Sequence, residues 1–289
     1  GGSGNRVSQC GISYVGASGI VAGGTAEPGV GDNLAIEDNH LQHIGLIYPG
    51  AIALRVGNVA NARLCRNLIH DVGYSGICFS CEKRGAPNNG LIENNHIYRV
   101  MTALNDGAAI YLGNKLDGCI VRGNVCHDIH GLTGMGWGIY PDEQSCFLTV
   151  TGNLVYRCLG SFHVHMAHDI KFENNIAVNG DSYQISLPKS SNISFAYNIF
   201  VCDGEPVLSN SVTNPKNHVG QSDFNLFWDV SGNKPPLGKP TWEAWTGLGL
   251  DTHSVFADPL FVDPAHDNYD LKPDSPALRL GFVKLDLSR

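Results

Sequence analysis

A short phrase, asparagine followed within two residues by an apolar side chain, recurs along the chain: Asn39-His-Leu, Asn67-Leu-Ile, Asn95-His-Ile, Asn124-Val-Cys, Asn153-Leu-Val, Asn175-Ile-Ala and Asn198-Ile-Phe. The spacings are 28, 28, 29, 29, 22 and 23 residues, and Asn225-Leu-Phe extends the series after another 27. A period of this size is the mark of a solenoid or array. The core phrase of a leucine-rich repeat is missing. The apolar residues are Ile and Val in short runs, which suits strands. No amphipathic helix of ten or more residues appears before position 240. The fold class predicted is all-β: a right-handed parallel β-helix whose Asn side chains stack as an internal ladder at one turn.

A second rhythm follows each Asn. The column Ile20, Ile52, Ile77, Ile110, Ile139, Val164, Ile185 and, two positions on, Ala22, Leu54, Phe79, Leu112, Pro141, Met166, Leu187 should face inward on one stacked sheet. The positions between them should then face solvent. The column before the first reads Gly19, Ala51, Gly76, Ala109, Gly138, His163, Gln184. The column after it reads Val21, Ala53, Cys78, Tyr111, Tyr140, His165, Ser186, and the next outward one Gly23, Arg55, Ser80, Gly113, Asp142, Ala167, Pro188. Small residues stacked across five coils predict a shallow outer groove bordered by Tyr111, Tyr140, His163, His165 and Asp142. Aromatic walls of that kind suit sugar rings.

Two coils carry extra residues, Met101–Gly107 and Leu132–Trp137, directly before the Tyr111 and Tyr140 strands. Insertions in a solenoid fall on one face and tend to build its binding site. Residues 1–201 read as coils. Residues 202–289 read as a last irregular coil, a short helix from Thr241 to about Leu248, and a strap rich in Asp and Pro that folds back on the solenoid. Cys10 already occupies the ladder place and nothing before it caps the apolar end. The chain is therefore expected to be the C-terminal part of a longer solenoid, with association through that end.

Composition narrows the classes. Of 289 residues, 43% are hydrophobic and only 16% charged, and Gly reaches 35, which favours tight turns over exposed helices. The net charge of -8 opposes phosphate neutralisation, so no nucleic-acid partner is expected. No apolar run reaches membrane-spanning length, so no membrane partner is expected. No basic-then-apolar segment opens the chain, so a leader is absent or removed, and the location expected is secreted or periplasmic. The nine cysteines are scattered among apolar neighbours and read mainly as small core residues. Cys78-x-x-Cys81 has the spacing of a disulfide or half a zinc site. Without a second pair, a metal there is disfavoured, and no cofactor is expected.

Several phrases carry a family resemblance. Asn-Asp-Gly-Ala-Ala-Ile-Tyr-Leu-Gly (105–113), Gly-Trp-Gly-Ile-Tyr-Pro-Asp-Glu-Gln-Ser (136–145), Phe-His-Val-His (162–165) with Asn174-Asn175, Phe-Ala-Asp-Pro-Leu-Phe-Val-Asp-Pro (256–264) and Leu-Lys-Pro-Asp-Ser-Pro-Ala-Leu (271–278) resemble β-helix glycoside hydrolases. The group is that of the α-L-fucosidases and xylanases of glycoside hydrolase family 141. More distantly, the chain resembles the β-xylosidases of family 120. The resemblance implies a two-carboxylate mechanism with Asp106 and Asp142 as the catalytic pair, and an oligo- or polysaccharide substrate.

Such chemistry needs one carboxylic acid to protonate the leaving oxygen and a second carboxylate as nucleophile or base. Asp142 is expected at a strand end on the outer face, with Tyr140 beside it and His165 diagonal on the next coil at about 8 Å between Cα atoms. Asp106 lies four residues before Ile110 and Asp142 three after Ile139; on a straight strand that offset separates them by roughly 20 Å. The two meet only if residues 101–107 fold back over the groove; otherwise Asp106 is an Asp-Gly turn residue. Glu143 is the substitute partner. His163-x-His165 puts two imidazoles on one face, better suited to hydrogen bonds with sugar hydroxyls or a catalytic carboxylate than to a metal. Trp137 is a candidate sugar-stacking platform or a loop anchor. His70-Asp71 and His127-Asp128 share one repeat position after the ladder and read as turn structure.

Two other functions compete. A polysaccharide lyase must neutralise a uronate and needs a basic residue as base; the groove columns offer only Arg55, and no Asp cluster for calcium. A non-catalytic glycan-binding β-helix would need no proximity of Asp106 and Asp142.

Overall fold

The computed structural model describes residues 2–23, 31–81 and 88–286. Three parallel sheets form a β-helix, with one strand of each in the first seven coils and later strands added to two of them only. Sheet A holds nine strands, from Arg6–Ser8 to Val219–Asp223, and sheet B ten, from Gly11–Val15 to Val255–Phe256. Sheet C holds seven, from Ile20–Gly23 to Ile185–Ser186. Every pairing within them is parallel between consecutive coils, as in Ile97 with Cys126 and Val155 with Ala177. The apolar side chains fill one continuous core between the three sheets.

The asparagines turn the corner between sheets A and B, and they are buried. Each Nδ2 donates to the Oδ1 of the next: Asn39 to Asn67 at 2.9 Å, Asn95 to Asn124 at 2.9 Å, Asn175 to Asn198 at 3.0 Å. Each Oδ1 also accepts the backbone N–H of the preceding ladder residue, so a buried amide pairs with a buried corner. Cys10 takes the first place, its N–H donating to Asn39 Oδ1 at 3.0 Å. The row ends on Asp251, a buried carboxylate that accepts from Asn225 Nδ2, Ser222 Oγ, Ser254 Oγ and the Trp245 indole.

The inner columns of sheet C differ from expectation by two residues in two coils. Leu54, not Ile52, pairs with Ile20 and Ile77, and Phe162, not Val164, pairs with Ile139 and Ile185. Met166, expected inside, is 43% exposed in a turn. A slip of two leaves the alternation of faces intact, so periodicity alone does not detect it. A larger correction concerns the small column. An added Cβ at Gly76 would lie 2.7 Å from Ile97, and at Gly138 2.3 Å from Val155. Both contacts are with side chains of the core cluster, and Ala53 and Ala109 are fully buried. These positions point inward, where sheet C bends toward sheet B, so they do not floor an outer groove. The strand Gly107–Asn114 pairs with Gly136–Pro141 at Ala108/Trp137 and Ile110/Ile139, and the pairing skips Ala109 and Gly138 at the bend.

Beyond residue 201 the coil rhythm continues through Val219–Asp223 and Leu226–Asp229. A helix spans Trp242–Thr246, its N-terminus capped by Thr241 Oγ1, which accepts from the Ala244 N–H at 3.2 Å. The tail then doubles back. Phe261–Asp263 and Asn268–Leu271 form an antiparallel pair. Phe261, Tyr269, Leu271 and Phe282 pack on Leu154, Tyr156, Ile176 and Val201, the outer face of sheet B. Arg157 ties that strap to the coils through Asp267. The nine thiols are free and seven are buried. Cys78 and Cys81 stand three apart on the strand Ile77–Cys81, so they face opposite sides and cannot bond. Among the described residues no helix is long and apolar enough to cross a membrane.

Candidate functional site

The bend in sheet C decides what its outer face displays. Because Gly138 and Ile139 both turn inward, Trp137 and Tyr140 emerge on the same side. The Tyr140 ring meets Trp137 edge-on at 5.0 Å and Tyr111 edge-on at 4.8 Å. His163 stacks on Trp137 at 4.0 Å and 10° and meets Tyr140 at 4.5 Å. Trp137 also donates its indole N–H to Tyr183 Oη at 3.0 Å. Trp137, Tyr140 and His163 are only 4, 3 and 8% exposed. Trp137 is thus no open platform: His163 covers one face of it and the surrounding rings bury the remainder. These three form the back wall of the site.

In front of that wall lie the polar groups. Asp142 follows the end of its strand, and the corrected register sets His165 opposite it instead of diagonal. The Asp142 N–H donates to Leu112 O at 2.7 Å and the His165 N–H to Pro141 O at 3.0 Å. Side by side on successive coils, Asp142 Oδ1 lies 2.8 Å from His165 Nδ1. Asp142 Oδ2 accepts from the Tyr111 hydroxyl. Burial, then the hydrogen bond to Asp142 and its charge, hold the Tyr111 phenol far above its ordinary range, so it stays a donor. The Asp142 and His165 side chains are 14 and 27% exposed, enough for a ligand to reach.

Asp106 belongs to the same neighbourhood. Burial and then the charges of Asp142 and Asp106 push the Tyr140 phenol up. The Tyr74 phenol is raised by burial, then by Asp106, with Asp142 a smaller contributor. The first insertion is held by the second: Leu132 N–H donates to Leu104 O at 3.0 Å, Asp106 N–H to Met135 O at 2.9 Å, and Thr133 N–H to Asn105 Oδ1 at 2.7 Å. Tyr74 Oη donates to the Asp106 carbonyl at 2.7 Å. Asp106 itself is exposed at the rim with φ 59°. Asp106 directly precedes the strand Gly107–Asn114, which pairs with Gly136–Pro141 and is interrupted only at Ala109, whereas Asp142 follows the far end of that pair.

Glu143 lies elsewhere. It is an exposed turn residue after the strand, and its carboxylate makes no hydrogen bond or ion pair with the described residues; only its carbonyl is used, by Asn114 N–H at 2.9 Å. Tyr74 and Tyr183 are site residues that sequence reasoning missed. Both sit in turns before sheet C strands, where no alternation marks a face. Burial lowers His163 from 6.5 to about 3, with His165 adding to the effect and Asp142 opposing it. Its Nδ1 is buried without a hydrogen-bond partner among the described residues. His163 and His165 stand 6.3 Å apart between ring centres, and no group of three or more metal-ligating side chains occurs among the described residues.

A parallel solenoid with an internal Asn ladder and a polar cluster on one outer sheet defines a β-helix protein. The chain belongs to the right-handed β-helix family, whose model matches residues 1–224. The sequence matches no curated protein. Among solved structures it is similar to one described as a glycoside hydrolase, with 22% identity and a TM-score of 0.53 over 60% of this chain and 32% of that one. It is similar to the catalytic unit of the thermostable GH87 α-1,3-glucanase of Streptomyces thermodiastaticus strain HF3-3, with 15% identity and a TM-score of 0.54 over 83% of this chain and 49% of that one. It is also similar to the pectate lyase Pel9A, with 12% identity and a TM-score of 0.51 over 93% and 80%. At these identities the likeness is one of fold. The chain spans less than two thirds of the length of the first two structures.

Proposed function

We propose that the chain carries the active face of a glycoside hydrolase acting on oligo- or polysaccharide, of the fucosidase or xylosidase type that its phrases resemble. The observation that carries the reading is the placement of Asp142 at the open front of an aromatic wall, gripped by Tyr111 and His165. Asp106, on the rim, is assigned as the acid that protonates the glycosidic oxygen while the C–O bond breaks. Asp142, oriented by two donors, is assigned as the group that attacks the anomeric carbon or takes the proton of the attacking water. Tyr111 and His165 position Asp142. A lyase would need a cation at the uronate, and Arg55 stands two coils from the Tyr111 row, beyond Cys78. Because the substrate class is polymeric, we also assign the protein to the secreted or periplasmic space; recovery from the cytosol of the native host would overturn that assignment.

The test is sugar release from aryl fucosides, aryl xylosides and plant-wall oligosaccharides. Asp142→Asn and Asp106→Asn should each reduce turnover by orders of magnitude with an unchanged circular dichroism spectrum. Equal turnover in wild type and both variants removes the mechanism. Glycan binding with no hydrolysis by the wild type replaces it with a non-catalytic role, and an unsaturated product replaces it with elimination.

A further inference from the structure

The strap leaves a space where it crosses the last coils of sheet B. Val178, Val201 and Trp228 lie side by side there on successive strands, and the strap walls a cavity of about 430 Å³ beside them. That size is within the range of small-ligand sites, about 300–1,000 Å³. The polar groups of its lining lack partners. Of the four tryptophans, Trp137, Trp242 and Trp245 donate their indole N–H to Tyr183, Pro235 and Asp251 at 3.0, 2.8 and 2.7 Å. Trp228, half-buried in the cavity wall, donates to none of the described residues, and no other aromatic ring among them lies against it. Tyr269 is only 5% exposed, yet its hydroxyl makes no hydrogen bond with the described residues. The Asn179 amide makes none either, and its Oδ1 is buried. Buried polar groups are ordinarily paired, so three unpaired ones on a single cavity mark a place that a polar ligand completes.

We propose that this cavity is a second, non-catalytic binding site for one or two units of a neutral saccharide. A sugar ring has an apolar face of C–H groups and a rim of hydroxyls, each both donor and acceptor. Trp228 supplies an aromatic plane with a free N–H at its edge, the amphipathic combination that such a ring needs. Tyr269 and Asn179 supply groups that donate and accept. The exposed rim adds acceptors. Asp258 Oδ1 takes the Leu260 N–H at 2.8 Å and Asp263 Oδ2 lies 2.8 Å from His266 Nδ1, so each carboxylate keeps its other oxygen unengaged among the described residues. Lys272, exposed and in no ion pair with the described residues, adds a donor. Charge selects against acidic ligands: two carboxylates outnumber one ammonium, so a uronate or a phosphate is repelled. A wholly apolar ligand is disfavoured too, because it would leave Trp228, Tyr269 and Asn179 unpaired. The cavity lies on sheet B and Asp142 follows a strand of sheet C. The ligand class follows from the lining alone, so the inference stands apart from the proposed hydrolysis.

The experiment is affinity electrophoresis of the full chain in gels containing arabinoxylan, xyloglucan, mixed-linkage glucan or polygalacturonate. At least one of the neutral polymers should retard wild type and Asp142→Asn alike. Trp228→Ala should weaken that retardation by about tenfold or more, the loss of one aromatic face, while leaving turnover in the hydrolysis assay unchanged. If Trp228→Ala loses its circular dichroism spectrum, the double variant Asp258→Ala/Lys272→Ala, at exposed positions, gives the same reading. Retardation by no neutral polymer, or equal retardation in the folded variants, overturns the inference. So does retardation that Asp142→Asn abolishes, which returns binding to the sheet C site, or binding of polygalacturonate through Trp228, which overturns the neutral class. Binding that needs Trp228 in a protein without turnover keeps this inference and removes the hydrolysis; turnover without such binding does the reverse.

Discussion

Asp142 and His165 face each other on successive coils, Oδ1 to Nδ1 at 2.8 Å, although 23 residues separate them in the chain. A parallel solenoid builds such a pair cheaply, because each strand needs only to continue the ladder of the one before. Tyr111, one coil earlier, completes a row across three coils whose centre is the Asp142 carboxylate. Removing the phenol while keeping the ring isolates its part. Tyr111→Phe should lower kcat about 10- to 100-fold with little change in KM, the size of one hydrogen bond to a charged group. Steady-state kinetics on the responsive substrate of the hydrolysis assay measure this; a rise in KM at constant kcat would place Tyr111 in ground-state binding instead.

The inward direction of the small column makes a stability prediction. Gly138→Ala adds a Cβ 2.3 Å from Val155 Cγ1 and 2.8 Å from Ser161 O, so neighbouring strands must shift. The expected loss is about 2 kcal/mol by denaturant titration. Gly113→Ala is the control, since its nearest contact would be an ordinary 3.7 Å, and it should change stability by under about 0.5 kcal/mol. Similar small losses in both would return the column to the surface.

The ladder predicts a steep cost for one amide. Asn124 accepts from the Asn95 N–H and Nδ2 at 3.0 and 2.9 Å and donates to Ile92 O and Asn153 Oδ1, both at 2.9 Å. Asn124→Ala leaves these groups buried without partners, at about 1–3 kcal/mol each. A total of at least about 3 kcal/mol is expected in urea unfolding. Asn61→Ala serves as comparison: its Nδ2 donates to Asn33 Oδ1 at 3.1 Å in an exposed row, where water replaces the bond.

His163 predicts a pH dependence. The folded protein holds it to about 3 by burial, against 6.5 for the free side chain. Between these values the unfolded chain binds a proton that the folded one refuses. Its neutral burial therefore costs no stability above about pH 6.5, and stability is lost as pH falls toward 3, by roughly 1 kcal/mol per pH unit. Unfolding free energies at pH 7.5 and 5 should fall less between the two in His163→Phe than in wild type. An identical fall would assign the loss to other groups.

The solenoid itself was legible in the chain. The period of Asn39 to Asn225 and the Ile and Val alternation are local, repeated signals, and a buried amide row has one economical fold. The phrases around Asp142 and His165 pointed to residues that the fold brings into contact, and the insertions before Tyr111 and Tyr140 to segments that it joins by hydrogen bonds. What only the tertiary structure decided is register and curvature. Alternation settles a face modulo two, so it could not choose Leu54 over Ile52 or Phe162 over Val164, and it set His165 diagonal to Asp142 instead of opposite. A bend breaks the alternation altogether, which is why Gly138 points inward while Trp137 and Tyr140 emerge together. The strap over Tyr156 lies further still from local pattern, because it joins coils through side-chain reach, and that reach exists only after the coils have stacked.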